Sequence, residues 1–312
     1  MCSALLPKPI ILDTDIGEDI DDLWALCQLL KSPEFKPLLI TTDTEDTRYR
    51  AKIVCKFLEQ IGRIDIPVGI GTATPGDRYN KTQAAWVEDY DLTAYPGILR
   101  EHGVAALIET IRANPDPVTL ICIGPLSNIR IALEQAPDIA PRCHFVGMFG
   151  SIKMGLYGVP GQIPENNVVR DCRASQAVFA ADWRSMTITP LDSCGIVKLE
   201  GERYQQLRRC SEIAVATMLE NYRLWRYVGD QFGTRSSVLY DTVAVYLAHA
   251  QDFLQMETMN LRVDAEGFTR QDPCGRPVQV AVDWRDFAGY LDFLTQRLLA
   301  PLVVPTQLEK NK

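Results

Sequence analysis

Hydrophobic positions along the chain fall into two kinds of run that take turns. Residues 9–12, 37–42, 67–70, 118–123, 144–149 and 186–191 form short, almost wholly apolar stretches. A strand covered on both faces shows no polar side, so such runs predict a parallel sheet packed between helices. Between them the apolar residues return every three or four positions, as in Leu23, Leu26, Cys27 and Leu30, or Ile53, Phe57, Leu58 and Ile61. That period predicts helices with one apolar face over 21–30 and 47–61, and the same reading places others over 104–112, 127–135, 202–232 and 241–250. Two more strands, 256–263 and 277–284, lead into a last helix ending near Leu299.

Strands alternating with helices predict an α/β fold. With no internal repeat or linker, the expectation is one domain over residues 1–312, built on a mostly parallel, Rossmann-like central sheet flanked by helices, with a short flexible tail at about 306–312. Segments 72–102, 150–165 and 229–240 break the rhythm and are rich in Gly, Pro, Tyr or polar residues. Long loops in a compact domain usually carry function, and in an open α/β sheet those after the strand C-termini line the ligand crevice.

Composition narrows the partners. Of 312 residues, 32 are Lys or Arg and 40 are Asp or Glu, a net charge of -8. That balance argues against nucleic acid or an anionic membrane and leaves small solutes as the expected partners. No stretch approaches the roughly 20 apolar residues of a spanning helix, and the start lacks a signal-like pattern, so a cytoplasmic chain is expected. The nine cysteines are scattered without a C-x-x-C pair, the pattern of buried reduced thiols rather than disulfides or a zinc knuckle.

The chemistry concentrates after the first strand. Asp13, Asp15, Glu18, Asp19, Asp21 and Asp22 put six acids within ten residues, and no Lys or Arg occurs between Pro9 and Leu30. Crowded carboxylates oppose one another's ionisation, and a helix N-terminus offers only about half an elementary charge against them. An acidic capping turn with solvated side chains is one reading. The other is a hard divalent cation with oxygen ligands, Ca²⁺ or Mg²⁺, with zinc the poorer fit because soft ligands are missing from the turn.

The run Asp13-Thr14-Asp15-Ile16-Gly17-Glu18-Asp19-Ile20-Asp21-Asp22, followed by Leu23-Trp24-Ala25-Leu26, resembles the N-terminal signature of the inosine-uridine-preferring nucleoside hydrolase family. It is similar to the branch with two extra residues between the glycine and the paired aspartates. The resemblance continues in order through Ile40-Thr41-Thr42 with Asp46, Ile123-Gly124-Pro125-Leu126-Ser127-Asn128, Pro164-Glu165-Asn166-Asn167-Val168 with Asp171, and Tyr240-Asp241-Thr242-Val243-Ala244. It implies one Ca²⁺ held by Asp15, Asp22, the Ile123 carbonyl and Asp241, with water and the ribose 2′ and 3′ hydroxyls completing the shell. The reaction it implies is hydrolysis of the N-glycosidic bond of ribonucleosides to ribose and free base, with Asp15 as general base on a metal-bound water. Asp21, Asp46, Glu165 and Asn167 would bind the sugar, while Tyr222, Trp225, Tyr227 and Gln231 fall in the region that contacts the base. A homodimer or homotetramer with a role in nucleoside salvage is part of the same implication.

Departures from the family pattern fall on the leaving-group side. Many members carry His immediately before the last metal aspartate, where this chain has Tyr240, and His102 is the one histidine outside the expected core elements. Members usually have Asn at the place of Asp46 and an aromatic residue at the place of Asn166. Tyr240 therefore becomes the candidate acid, although an ordinary phenol has a pKa near 10. Two alternatives stay open: a non-catalytic nucleoside or ribose binder, and a haloacid-dehalogenase-like phosphatase with Asp13 as nucleophile aided by Mg²⁺.

Overall fold

The computed structural model describes residues 6–75 and 81–302, so the tail expected at 306–312 lies outside the described residues. Among the described residues ten strands make one sheet. They are β1 (Lys8–Thr14), β2 (Phe35–Thr42), β3 (Val68–Ile70), β4 (Leu99–Arg100), β5 (Val118–Cys122), β6 (Cys143–Met148), β7 (Ser185–Thr189), β8 (Leu254–Val263), β9 (Thr269–Gln271) and β10 (Arg276–Trp284). Their order across the sheet is β4-β3-β2-β1-β5-β6-β7-β10-β8-β9. Strands β1 to β7 pair in parallel, β10 adds in parallel to β7, and β8 and β9 run antiparallel along the far edge.

Each of the eight expected strands is present to within two residues at either end. The unexpected β4 and β9 are edge strands of two and three residues, too short for any periodicity to register. β1 shows why its sequence reads as continuously apolar. Ile10 and Leu12 enter the core on one face of the sheet, while Ile11 enters the core on the other.

Two helical expectations change. The block over 202–232 is not one helix but Gly201–Arg209 and Ile213–Leu224, parted where the Glu212 side chain accepts from the Val215 backbone N–H and caps the second. The helix Asp21–Leu30 was expected to bury one face, yet all ten residues are buried. It is covered by the helices Tyr240–Leu247, Ile213–Leu224 and Phe287–Leu299 as well as by the sheet.

This topology positions the site. The chain leaves β1 through β2, β3 and β4, then returns to place β5 on the other side of β1 and continues outward through β6 and β7. At that reversal a crevice opens at the carboxyl ends of β1 and β5. Those strands end at Thr14 and Cys122, so Asp15 and Ile123 are the first residues beyond them. Among the described residues no helix is long and apolar enough to cross a membrane. The eight described cysteines are free, and five are buried.

Candidate active site

After β1 the chain makes a turn whose carbonyls are held from outside. The Ile16 carbonyl accepts from Arg50 Nη1 at 3.1 Å and the Gly17 carbonyl from the Tyr49 hydroxyl at 3.1 Å. The Glu18 carbonyl accepts from Trp225 Nε1 at 3.0 Å and from the Thr82 hydroxyl, and the Asp19 carbonyl from Gln83 Nε2 at 2.6 Å. Gly17 is required at its place, since its φ is +122° and a Cβ there would lie 2.7 Å from the Tyr49 ring.

The acids of this turn line a cavity of about 510 Å³. Asp21 and Asp22, in the first turn of their helix, meet Asp241, in the first turn of the helix Tyr240–Leu247. One carboxylate oxygen from each lies within 4.8 Å of the others, and all three residues are buried. Asp22 Oδ1 accepts from the Thr14 hydroxyl at 2.5 Å, and Asp21 Oδ2 from the Asp241 backbone N–H at 3.0 Å. Burial first, and then repulsion from neighbouring carboxylates, Asp15 among them in each case, push all three carboxyls well above the ordinary aspartate range. No described Lys or Arg forms an ion pair with any of them, and the charge of Arg50 is the smallest of the influences on Asp22. A divalent cation with oxygen ligands fits this donor set.

Asp15 also lines the cavity but stands outside that group of three, paired instead with Arg170 Nη1 at 3.4 Å. The close group thus contains Asp21, expected at the sugar, in place of Asp15. Ile123 lines the cavity too, and its carbonyl accepts from Asn167 Nδ2 at 3.3 Å. Gly124 lets this corner close, because a Cβ on it would lie 2.9 Å from the Asp15 backbone nitrogen.

Other acids of the turn and its neighbours serve the frame. Asp13 is fully buried, accepts from the Thr41 hydroxyl and from Asn128 Nδ2, and does not reach the cavity. Burial raises its pKa to about 6. An aspartate held this way cannot act as the exposed nucleophile that a phosphatase reading requires. Asp43 caps the helix Ser127–Gln135, accepting from the backbone N–H groups of Ser127 and Asn128 at 2.9 and 3.1 Å. Ser127 in turn donates to Asp171, which caps the helix Cys172–Ala180.

Of the three loops, 150–165 supplies a wall through Leu156, Tyr157, Ile163, Pro164 and Glu165, whereas 229–240 contributes Tyr240 alone. The described part of 72–102 lines none of the cavity and holds the acidic turn from behind through Thr82 and Gln83. Glu165 caps the short helix Asn166–Arg170, accepting from the N–H groups of Asn167 and Val168, and also from Gly150. Burial raises its pKa to about 7. Tyr227, Trp225 and Tyr240 complete the aromatic side. Burial, followed by the charges of Asp19 and Asp21, pushes the Tyr240 phenol upward and keeps it protonated.

Three residues expected at the sugar or base are not brought to the cavity, and one of them, Tyr222, is buried in the core with its hydroxyl donating to the Arg235 carbonyl at 3.1 Å. Asp46 caps the helix Thr47–Gln60 and pairs with Lys81 at 2.7 Å. Gln231 lies in the 3₁₀ segment Gly229–Gly233 because the preceding helix stops at Leu224, and its amide donates to the Tyr227 carbonyl. None of the three histidines lines the cavity. His102 precedes the helix Gly103–Ala113 without capping it through its side chain. His144 pairs with Ser185 at the opposite end of the sheet, and His249 packs against Phe35, Tyr246 and Phe293. Sequence reasoning missed Arg170 and Glu45, which meet beside Asp15; no periodicity or acidic run marks either of them.

The model of the family described as inosine-uridine preferring nucleoside hydrolase matches residues 10–290. The chain is 24% identical over 324 residues to uridine nucleosidase 1 of Arabidopsis thaliana, covering 94% of each protein. It is 26% identical over 333 residues to the pyrimidine-specific ribonucleoside hydrolase RihA of Shewanella sp. (strain MR-7), covering 98% of this chain and 100% of that one. A solved plant nucleoside hydrolase shares the fold, with a TM-score of 0.80 at 23% identity over 95% of this chain and 100% of the other.

Proposed function

The chain belongs to the inosine-uridine preferring nucleoside hydrolase family, a family of enzymes, and on that footing we propose that it hydrolyses the N-glycosidic bond of ribonucleosides in a Ca²⁺-dependent reaction with Asp15 as general base. One observation carries the reading: three buried carboxylates with no ion-pair partner among the described residues meet at the switch point of the sheet. Asp22, Asp241 and the Ile123 carbonyl would hold the ion, with Asp21 in the same group and Asp15 at its side. Ca²⁺ suits an all-oxygen set because it takes about six to eight such ligands and leaves places for the sugar hydroxyls and water. Bound there, it would acidify and orient a water.

Asp15 then takes the water's proton. Asn167 commits its Nδ2 to the carbonyls of Ile123 and Met148, which leaves its Oδ1 to accept from a ribose hydroxyl. Glu165 is the second sugar contact. Positive charge that develops on the ribosyl ring as the bond breaks is stabilised by the surrounding carboxylates. Leu156, Tyr157, Trp225 and Tyr227 offer an apolar wall to the base, and the protonated Tyr240 hydroxyl can donate a hydrogen bond to it as it departs.

The test is release of base from inosine and uridine before and after exhaustive chelation. Activity is expected to vanish with EGTA and to return with CaCl₂; full activity in the chelated protein would contradict the reading. The lack of a histidine at the cavity favours one competitor, a nucleoside binder without turnover. Calorimetric binding of inosine or uridine with no ribose released would select it.

A further inference from the structure

Arg170 is the cation of the cavity wall, with its side chain only 7% exposed. Nη1 pairs with Glu18 at 2.5 Å, Nη2 pairs with Glu45 at 2.9 Å, and Nη1 also reaches Asp15 at 3.4 Å. Behind Glu45 stands the buried Arg50 at 3.8 Å, itself held by the carbonyls of Thr44 and Ile16. Two arginines therefore face two glutamates, and Arg170 is fastened in place by carboxylates that do not belong to the group formed by Asp21, Asp22 and Asp241. An arginine keeps its charge at every working pH, and its fork needs no rearrangement to hold two carboxylates at once.

Resting on the cation site proposed above, we propose that Arg170 is a positioning residue that orients Asp15 beside the three-carboxylate group and, through its fixed charge, weakens the binding of a divalent cation there. Two effects act in the same direction. The guanidinium competes for an Asp15 oxygen that would otherwise turn to the ion, and its charge on the wall of the same cavity repels a doubly charged ion. Asp15 thereby stays available to take a proton instead of serving only as a ligand. Glu18 and Glu45 matter because they keep the guanidinium at this distance.

The test is calorimetric titration of CaCl₂ into the full-length, chelator-stripped protein without substrate. Arg170→Gln is expected to bind Ca²⁺ at least about tenfold more tightly than the natural chain, as removal of a nearby buried positive charge demands. Arg170→Lys, which keeps the charge, is expected to stay close to the natural affinity. Because Arg170→Gln leaves the buried Glu45 short of a partner, the double variant with Glu45→Gln guards against misfolding and is also expected to bind more tightly. Unchanged or weaker binding in cooperatively melting Arg170→Gln or double-variant protein would overturn the proposal while leaving the cation site standing. Equal tightening in Arg170→Lys would overturn it too, since charge would not be the cause. Silence from all four proteins would overturn it together with the cation site.

Discussion

Asp13 and Asp43 lie near Asp21, Asp22 and Asp241 at the same end of the sheet, and both groups are buried. In both, burial raises the carboxyl pKa. They differ in what the protein offers them. Asp13 receives donors from Thr41 and Asn128, and Asp43 receives two backbone N–H groups at a helix start. Asp22 receives one hydroxyl, Asp21 one backbone N–H, and the Asp241 carboxylate none from the described residues. A raised pKa is therefore common to frame and site, while close approach of three carboxylates that share only two donors marks the site.

The comparison breaks most sharply on two substitutions. Asp241→Asn is expected to abolish the response to Ca²⁺ and to lower turnover at least about a hundredfold, measured as base release. Asp13→Asn is expected to retain Ca²⁺ affinity and to lose about 1–3 kcal/mol of stability in urea denaturation. The opposite pattern would exchange the roles of the two groups.

A medium effect concerns pH. The folded pKa values of Asp13 and Glu165 are raised, to about 6 and about 7. A group raised on folding contributes stability that is complete below its unfolded pKa and is lost as pH climbs through the folded one. The metal-free protein is thus expected to melt at lower temperature as pH rises from about 4 to about 7, with Ca²⁺ restoring the loss at the upper end. Differential scanning fluorimetry of chelated and reloaded protein reads this, and a melting temperature indifferent to both pH and calcium would count against it.

Smallest is Tyr240→Phe. A phenol pushed upward by burial and by Asp19 and Asp21 is a poor proton donor. Its loss is expected to slow uridine or inosine hydrolysis by no more than about tenfold and to leave nitrophenyl riboside, whose leaving group needs no proton, unaffected. A loss as deep as that of Asp241→Asn would make Tyr240 the essential acid.

Much of this arrangement could be read from the chain. Strands buried on both faces write themselves as apolar runs, and the family resemblance names Asp15, Asp22, Ile123 and Asp241, all four of which line one cavity. What stayed illegible depends on where helices stop and on partners distant in sequence. Gln231 falls within the helix expected over 202–232, whereas the helix in fact ends at Leu224. Asp46 reads as a site acid, but the cap of its own helix and Lys81 claim it. Arg170 sits in a polar stretch like any other, and only the fold brings it within reach of Glu18 and Glu45 from 152 and 125 residues away.

Anomalous diffraction from a crystal grown with calcium is the direct test of the cation site. A single strong peak among the carboxylates of Asp21, Asp22 and Asp241, close to the Ile123 carbonyl, is the predicted result. An ordered cavity with no peak there, and with those side chains satisfied by solvent, would contradict it.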